Sequence, residues 1–338
     1  MPTLSDFGIE HIFVEITNYC NMHCEFCPSD NIHRARKSMD FDLFKATIDQ
    51  IIDLHPPHPI GFHVIGEPLL HKDVFDFIDY CNSKNLKIYL FTNCLNIKHN
   101  IAEICKKDNI EALVLSVQTP TRESYRLRGT KKSFDNYMQD IYDAIDYVIY
   151  NKSNKKMRTE IHLAETRRLQ FRDWDILTDD AEGVRIVKNM CRRITHTDGA
   201  FDDIPDNFVS LEEWEYWGYE PVQNIYIRIK HFGTFGSHTL PAKIIERTEP
   251  AECEMVKNNL CVLSDGTITM CCLDVEGDLS LGNIRGTTLL DALRSGKRSD
   301  MTVDVTKSKL CRRCLGTIPN ESVLGTVHAI LGKIKHIL

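Results

Sequence analysis

Three cysteines crowd one short stretch near the beginning of the chain, "NYCNMHCEFCPSD", which contains Cys20, Cys24 and Cys27. Three thiolates do not complete the tetrahedral coordination of a zinc ion, for which His23 or His33 would have to supply the fourth ligand. An iron–sulfur cubane normally takes four thiolates, so three thiolates leave one iron open to another molecule. The spacing therefore indicates a metal site that is able to bind a reactant, with zinc as the alternative.

A second group of cysteines lies near the end of the chain. The chain has 13 cysteines and begins with "MPTLSDFGIE", which has neither the basic start nor the apolar segment of an export signal. A cytoplasmic location is therefore predicted, and because the cytosol keeps thiols reduced, metal binding explains the cysteines better than disulfides. The members of this second group are Cys253, Cys261, Cys271, Cys272, Cys311 and Cys314.

Charge and hydropathy exclude two classes of partner. The formal net charge is −7, which disfavours a broad basic surface for nucleic acid, and no apolar run approaches the roughly 20 residues that span a bilayer. The partner expected is thus a small-molecule substrate, with no nucleic acid and no membrane span.

The elements that must position the first three cysteines alternate between strand and helix patterns. Apolar helical faces, such as Phe41, Phe44, Ile48 and Ile51, separate short runs rich in β-branched and aromatic residues. This alternation predicts an α/β fold, a partial (β/α)6 TIM-like barrel, followed by a small β-hairpin and helix metal domain. The six predicted strands are 12–17, 60–65, 87–92, 112–117, 159–164 and 184–189.

In a barrel of this kind, functional groups gather at the carboxyl ends of the strands. The cysteine loop follows the first predicted strand, "GEPLL" follows the second, "TNC" closes the third and "SVQT" closes the fourth. All four motifs are therefore expected at one mouth of the barrel.

The C-x3-C-x2-C spacing, with Phe26 just before the third cysteine, resembles the signature of the radical S-adenosylmethionine (SAM) superfamily. The resemblance implies a 4Fe-4S cluster on Cys20, Cys24 and Cys27 whose open iron is chelated by SAM. It also implies reductive cleavage of SAM to a 5'-deoxyadenosyl radical, which abstracts hydrogen from a substrate. Flavodoxin or ferredoxin is the kind of electron donor that such an enzyme uses.

The resemblance also assigns SAM-binding residues. Glu67 in "IGEP" matches the acidic residue that holds the SAM amino group, although Ile65 replaces the usual leading glycine of this motif. Arg128 falls where a basic residue commonly meets the SAM carboxylate, and Phe26 is expected near the adenine. The full expected set is Phe26, Gly66, Glu67, Ser116, Gln118 and Arg128.

The C-terminal cysteines resemble the SPASM/twitch extension of radical SAM enzymes, which houses auxiliary iron–sulfur clusters. No cysteine follows Cys314, which favours the shorter twitch type with one auxiliary 4Fe-4S cluster. Strand alternation along "TITMCC" predicts that Cys272 faces the core, although Cys261 and Cys272 both stay possible substitutes in the ligand set. A zinc ribbon is the alternative. The expected ligands are Cys253, Cys271, Cys311 and Cys314.

These observations predict a domain organisation in four parts. The radical SAM core is expected at 1–195 and a connecting, substrate-covering region at 196–250. The auxiliary cluster domain is expected at 251–320, and an apolar stripe on the tail predicts an amphipathic helix at 321–338 that docks on the core.

The predicted function is oxidation or epimerisation of a polar small molecule such as a sugar, aminosugar or nucleoside. Epimerisation would need a thiol that returns hydrogen, and Cys94 and Cys191 are the candidates because both follow predicted strands. A peptide-modifying maturase is the alternative within the superfamily. A zinc-binding interaction or scaffold protein is the alternative from another class.

Overall fold

The structure is a computed structural model that describes residues 2–153, 156–166, 174–177, 180–199, 201–204, 217–231 and 244–316. The predicted tail helix at 321–338 lies outside the described residues. The strands are β1 (His11–Val14), β2 (Ile60–Phe62), β3 (Ile88–Thr92), β4 (Ile110–Gln118), β5 (Arg158–Glu165), β6 (Trp217–Val222), β7 (Ile225–His231), β8 (Asn259–Val262), β9 (Thr267–Thr269) and β10 (Gly282–Asn283).

The longer helices bury one apolar face, as the periodicity of the sequence predicts. The described helices are α1 (Phe41–Asp53), α2 (Val74–Ser83), α3 (Ile97–Ile104), α4 (Arg122–Tyr125), α5 (Phe134–Asn151), α6 (Asp180–Thr195), α7 (Glu254–Asn258), α8 (Leu289–Leu293), α9 (Gly296–Val303) and α10 (Lys309–Cys314). None of the described helices is long and apolar enough to cross a bilayer.

All of these strands belong to one sheet, in the order β10-β9-β8-β1-β2-β3-β4-β5-β7-β6. The central strands β1, β2, β3, β4, β5 and β7 run parallel, as the crossover helices between them require. The sheet does not close on itself, because β8 and the hairpin that follows it extend it beyond β1 and β6 extends it beyond β7. The predicted α/β fold with a partial barrel is confirmed.

The first five predicted strands are present, but the sixth prediction is wrong. Residues 184–189 lie inside helix α6, where Val184, Val187, Cys191 and Ile194 bury one face at helical spacing. This spacing of three to four residues outweighs the β-branched content that suggested a strand. The sixth parallel strand is β7, which comes from the region expected to connect the two domains.

The segment predicted to form the auxiliary domain continues the same sheet as the parallel strands. Strand β8 pairs in parallel with β1 over four residues, and the predicted hairpin follows as β8 and β9 with Gly266 at a φ of +91° in the turn. A left-handed φ is strained for any residue with a Cβ, which explains the glycine. Strand β8, in the segment predicted to form the auxiliary domain, therefore lies next to the strand that leads into the cysteine loop.

Candidate functional site

The loop that carries the three cysteines is held from outside by the segment that follows helix α4. The amide of Glu25 donates to the Leu127 carbonyl at 2.9 Å, and that of His23 donates to the Arg128 carbonyl at 3.2 Å. The Cys24 thiol lies 3.8 Å from the same Arg128 oxygen. The cysteine loop and the segment after α4, about a hundred residues apart in sequence, are thus joined by backbone hydrogen bonds.

The three thiols line an open cavity of about 610 Å³ at the carboxyl ends of β1 to β4. The predicted gathering of motifs at one mouth is what the structure shows. All six residues expected to bind SAM reach this cavity, and none of its lining residues supplies a fourth cysteine. The lining includes Cys20, Cys24, Cys27, Phe26, Gly66, Glu67, Ser116, Gln118 and Arg128, with Met22, His63, Thr92 and Asn93 among the others.

Glu67 is buried and fixed by the backbone. Its Oε1 accepts from the amide of Leu69 at 3.1 Å, and its Oε2 accepts from the amide of Asn93 at 2.6 Å. Burial raises the pKa of Glu67 to about 7, although both hydrogen bonds favour the ionised form. A carboxylate held in this way is well placed to bind a cationic group such as an ammonium.

Gly66 lets the Glu67 turn approach the cysteine loop. Its φ is +88°, and a Cβ at this position would lie 2.3 Å from the Thr17 carbonyl oxygen. The amide of Glu67 in turn donates to the Tyr19 carbonyl at 2.8 Å. Only glycine satisfies both the left-handed conformation and the close backbone contact.

The Arg128 side chain lines the cavity, and most of its guanidinium N–H groups donate to protein acceptors. Nη1 donates to Gln118 Oε1 at 2.7 Å, Nη2 to the Ser116 carbonyl at 3.1 Å and to the Asn93 carbonyl at 3.4 Å. Its guanidinium also lies 5.8 Å from the ring centre of Phe26. The side chain therefore joins the ends of β3 and β4 to the cysteine loop, in addition to facing the cavity.

The strand ends at the mouth adopt unusual backbone conformations. Val64, Cys94 and Gln118 have φ values of 147°, 68° and 57°, and they follow or close β2, β3 and β4 in turn. Such conformations are costly for residues with a Cβ and are found where function demands them. They turn the backbone so that neighbouring side chains face the cavity.

Two functional residues were missed by sequence reasoning. Asn93 links the cysteine loop to Glu67. Its side-chain Nδ2 lies 3.5 Å from Cys20 Sγ and 2.8 Å from Asn21 Oδ1, and its backbone N–H donates to the Glu67 carboxylate. His63 stacks on Phe91 at 4.5 Å, and burial together with the charge of Lys230 lowers the pKa of His63 to about 4. Their positions directly after strands β3 and β2 were the available signal.

The donor set fits an iron–sulfur cluster with one open iron. Burial raises the pKa of Cys20 and Cys24, and that of Cys27 to about 12, so a metal must displace the thiol protons on binding. The histidines proposed as zinc ligands are turned elsewhere: His23 pairs with Asp30 and His33 pairs with Glu276. Three sulfur donors and an open face toward Glu67 suit a cluster that SAM completes.

The four cysteines expected to bind the auxiliary cluster lie around a second cavity of about 400 Å³. Cys253 precedes helix α7, Cys271 follows β9, and Cys311 and Cys314 lie on helix α10. Apolar residues such as Val256, Leu279 and Val305 form the rest of the wall. A sulfur-only donor set in an apolar chamber is what a four-thiolate cluster requires.

Cys261, Cys271 and Cys272 are the alternative cluster ligands, and the structure distinguishes them by which side chain reaches the second cavity. Cys271 lines it, whereas Cys261 and Cys272 pack in a separate apolar cluster with Val64, Ile65 and other residues. A hydrogen bond with the Cys272 thiol, together with burial, holds the pKa of Cys271 well above its usual range. Burial also raises the pKa of Cys311 to about 12 and that of Cys314 to about 11.

Neither candidate hydrogen donor lies on the cavity that holds the three cysteines. Cys94 is buried, with its thiol directed to the Thr92 carbonyl at 3.6 Å. Cys191 is buried in helix α6 and does not follow a strand, so the placement that suggested it is wrong. Burial raises the pKa of both thiols, that of Cys191 to about 12.

Two family models match the chain. Residues 14–155 match the Radical SAM superfamily, and residues 253–315 match an iron–sulfur cluster-binding domain named SPASM. The first covers the cysteine loop through helix α5, and the second covers all four cysteines of the auxiliary chamber.

Curated relatives match shorter stretches. An uncharacterized protein of Methanocaldococcus jannaschii is 34% identical over 109 residues, which is 31% of this chain and 37% of the relative. The S-adenosyl-L-methionine-dependent 2-deoxy-scyllo-inosamine dehydrogenase of Niallia circulans is 37% identical over 68 residues, 20% of this chain and 27% of the relative. The chain thus spans between about a quarter and a half of the length of the curated relatives it matches.

Solved structures share the fold over most of the chain. BtrN in complex with AdoMet and 2-DOIA superimposes with a TM-score of 0.53 at 17% identity, covering 95% of this chain and 98% of BtrN. Streptococcus suis SuiB bound to its precursor peptide SuiA gives a TM-score of 0.52 at 17% identity, covering 87% of this chain and 67% of SuiB. At this identity the likeness shows the fold alone.

Proposed function

This chain is a radical SAM superfamily enzyme with a SPASM iron–sulfur domain, and we propose that it removes a hydrogen atom from a polar small molecule and so oxidises or epimerises it. The substrate class proposed is a sugar, an aminosugar or a nucleoside. The observation that carries the proposal is the shared cavity of three cysteines and Glu67, with a separate four-cysteine chamber on the attached domain.

The residues of the first cavity divide into two roles. Cys20, Cys24 and Cys27 would hold the cluster, and Glu67 would hold the SAM amino group through a charge-assisted hydrogen bond. When bound, the reduced cluster cleaves SAM to a 5'-deoxyadenosyl radical that abstracts hydrogen. Arg128 and Asn93 keep the cysteine loop and Glu67 in register through the contacts described above.

Polar side chains on β5 and β7 near His63, which lines the first cavity, favour a polar substrate. Glu160 Oε2 accepts from His162 Nε2 and from Arg228 Nε, both at 2.9 Å, on adjacent strands β5 and β7. His162 pairs with Arg228 across β5 and β7, so Glu160, His162, Arg228 and Lys230 share one face of the sheet. His63 lines the cavity, and its ring nitrogens offer a hydroxylated ligand groups with which to form hydrogen bonds.

The second cluster suits a net oxidation. Its four cysteines fill all protein coordination positions of a cubane, which leaves electron transfer as its available role. Removing a hydrogen atom and a proton from an alcohol carbon and its hydroxyl leaves one electron, which this cluster would accept. Epimerisation needs no such acceptor but needs a hydrogen donor.

The first experiment tests cluster and SAM chemistry. The chain is reconstituted anaerobically with iron and sulfide, then given SAM and dithionite, and 5'-deoxyadenosine is measured by chromatography. Two cubanes per chain and 5'-deoxyadenosine formation are expected, and the Cys24→Ala variant should lose only the SAM-binding cluster. Stoichiometric zinc with no SAM cleavage would instead support the interaction or scaffold protein.

The second experiment tests the substrate class. Carbon-deuterated polyols and aminosugars, beginning with 2-deoxy-scyllo-inosamine, are supplied with SAM, and deuterium in 5'-deoxyadenosine is measured by mass spectrometry. Transfer from such a compound supports the proposal. A peptide maturase remains the alternative because the fold of SuiB matches as well as that of BtrN, and deuterium transfer only from labelled peptides would favour it.

A further inference from the structure

The side chain of Asn93 contacts a sulfur atom that is expected to bind iron. Its Nδ2 lies 3.5 Å from Cys20 Sγ and donates to it, and both residues line the cavity of the three cysteines. Holding Glu67 does not require this side chain, because the Glu67 carboxylate accepts from the backbone N–H of Asn93. The side chain and the backbone of Asn93 therefore serve two different groups of the site.

The orientation of the Asn93 amide is fixed by its two other partners. Its Oδ1 accepts from the backbone N–H of Leu95 at 2.9 Å, and its Nδ2 donates to Asn21 Oδ1 at 2.8 Å. A backbone N–H can only donate, so the amide oxygen must face Leu95 and the amide nitrogen must face the cysteine loop. An amide nitrogen carries two N–H groups, one of which serves Asn21 and the other Cys20.

The backbone of Asn93 is held by buried side chains. Its carbonyl accepts from the Tyr137 hydroxyl at 2.9 Å and from Arg128 Nη2 at 3.4 Å. Tyr137 and Arg128 are buried, as is the Glu67 carboxylate that accepts from the Asn93 N–H. The side-chain N–H is thus directed at the sulfur by the surrounding fold, as partners that orient and tune a metal ligand are.

We propose that the Asn93 side chain donates a hydrogen bond to the Cys20 thiolate of the loaded enzyme and thereby raises the reduction potential of the SAM-binding cluster. The inference rests on the proposed function, since it requires a cluster on the three cysteines. Reduction adds one negative charge to the cluster and its thiolates, and an N–H donor stabilises this more negative state. The electron comes from the external reductant, and Asn93 is a positioning residue that takes no part in its transfer.

The test is Asn93→Leu, which removes the N–H donors and keeps a branched side chain of similar size. Wild type and variant are reconstituted with iron and sulfide and titrated with dithionite against redox mediators, while electron paramagnetic resonance follows the reduced clusters. The signal that is missing from Cys24→Ala identifies the SAM-binding cluster. Its equilibrium constant for one-electron reduction should fall about tenfold in Asn93→Leu, a shift of about 59 mV to more negative potential.

The matched control is Asn96→Leu, the same substitution three residues further along the chain. Asn96 immediately precedes α3, and its side chain makes no capping hydrogen bond there. The potential of this variant should equal that of the wild type. A potential lowered as much as in Asn93→Leu would assign the shift to the added apolar side chain, and would overturn the proposal.

SAM affinity separates a hydrogen bond to the cluster from a purely structural role. Asn93→Leu keeps the backbone N–H that donates to Glu67, so the loaded variant should bind SAM with the affinity of the wild type in equilibrium dialysis. A loaded variant with weakened SAM binding and an unchanged potential would show that the side chain only holds the loop. That result would overturn the proposal.

Asn93→Asp provides the test if the leucine variant does not fold. Its carboxylate keeps an acceptor for the Leu95 N–H and places an oxygen where the donor faced Cys20. The lost hydrogen bond and the added negative charge both oppose reduction, so the equilibrium constant should fall by at least about tenfold, or 59 mV. A wild-type potential in this variant would contradict the proposal.

The failures are distinguishable. A wild-type chain that assembles no cluster on the three cysteines would overturn both this inference and the proposed function. A loaded Asn93→Leu enzyme with the wild-type potential would overturn this inference alone, because the cluster and its SAM chemistry would remain.

Discussion

At the scale of single residues, the site depends on polar groups whose orientation is fixed by backbone hydrogen bonds. Glu67 and Asn93 show this best. The backbone N–H of Asn93 donates to the Glu67 carboxylate, and the Asn93 side chain donates to Cys20 Sγ. Two carboxylate contacts from amides pre-orient the group before a ligand arrives, which reduces the entropic cost of binding. The same burial that orients Glu67 also raises its pKa to about 7.

Replacing Glu67 by Gln should weaken SAM binding to the reconstituted enzyme by about 10- to 100-fold, since a charged hydrogen bond contributes roughly 1.5–3 kcal/mol. SAM affinity of the wild type should also rise with pH through about 7, because the carboxyl is protonated below that pH and only the carboxylate binds the ammonium. Equilibrium dialysis between pH 6 and 8 measures both effects. The Glu25→Gln control, an exposed loop residue, should bind like the wild type, and a pH-dependent Glu67→Gln variant would contradict this assignment.

At the scale of elements, the mouth of the barrel is built by loops that approach one another at backbone distance. Gly66 contacts the loop after β1, and Gly129 contacts the same loop from the other side, where a Cβ would lie 2.3 Å from the His23 carbonyl oxygen. Both glycines also have positive φ values, +88° and +55°. The cysteine loop is therefore clamped between two glycine turns, and its conformation is not a property of the loop sequence alone.

The clamp predicts different outcomes for two glycine-to-alanine substitutions. Gly66→Ala should destabilise the protein by more than about 1 kcal/mol, because the new Cβ meets backbone atoms at a left-handed position. Gly183→Ala, inside helix α6 with no atom within 4 Å of the added Cβ, should be neutral or stabilising by up to about 1 kcal/mol. Thermal melting and iron content of both variants measure this. Wild-type iron content and melting of Gly66→Ala would show that the loop does not need the clamp.

At the scale of the whole molecule, a buried ion pair beside the cysteine loop binds groups of the segment that contains Ser264 and Val275. Arg34 donates to both carboxylate oxygens of Glu15 at 3.0 and 2.9 Å, and Ser264 donates to Glu15 from its amide and its hydroxyl. Arg34 also reaches the Val275 carbonyl. One carboxylate directly after β1 thus connects the cysteine loop region to the segment around Ser264 and Val275, which is predicted to belong to the auxiliary domain.

Removing the Glu15–Arg34 ion pair should lower the free energy of unfolding substantially. Glu15→Gln leaves the Arg34 charge buried without its carboxylate, and a loss of about 3 kcal/mol in unfolding free energy is expected. The control is Arg285→Gln at the exposed Arg285–Asp40 pair, where side-chain exposures of 55% and 52% limit the loss to about 1 kcal/mol. Urea unfolding measures both. Equal stabilities of the two variants would mean that the buried pair does not stabilise this connection.

The sequence by itself determined the features that depend on local spacing. Cysteine spacing identified both thiol groups, and apolar periodicity located five strands, the main crossover helices and the hairpin turn at Gly266. Their order along the chain also placed the site motifs at one mouth, because parallel strands joined by right-handed crossovers put all their carboxyl ends on one side. These predictions needed no knowledge of distant contacts.

Only the tertiary structure decided which strand completes the parallel set and which side chains share a cavity. Residues 184–189 and 225–231 are both rich in β-branched residues, and pairing with β5 selects the latter. Asn93 and His63 lie at strand ends that the sequence located, but their roles come from contacts with residues far away in sequence. Such contacts arise from packing across the sheet, which local propensity does not encode.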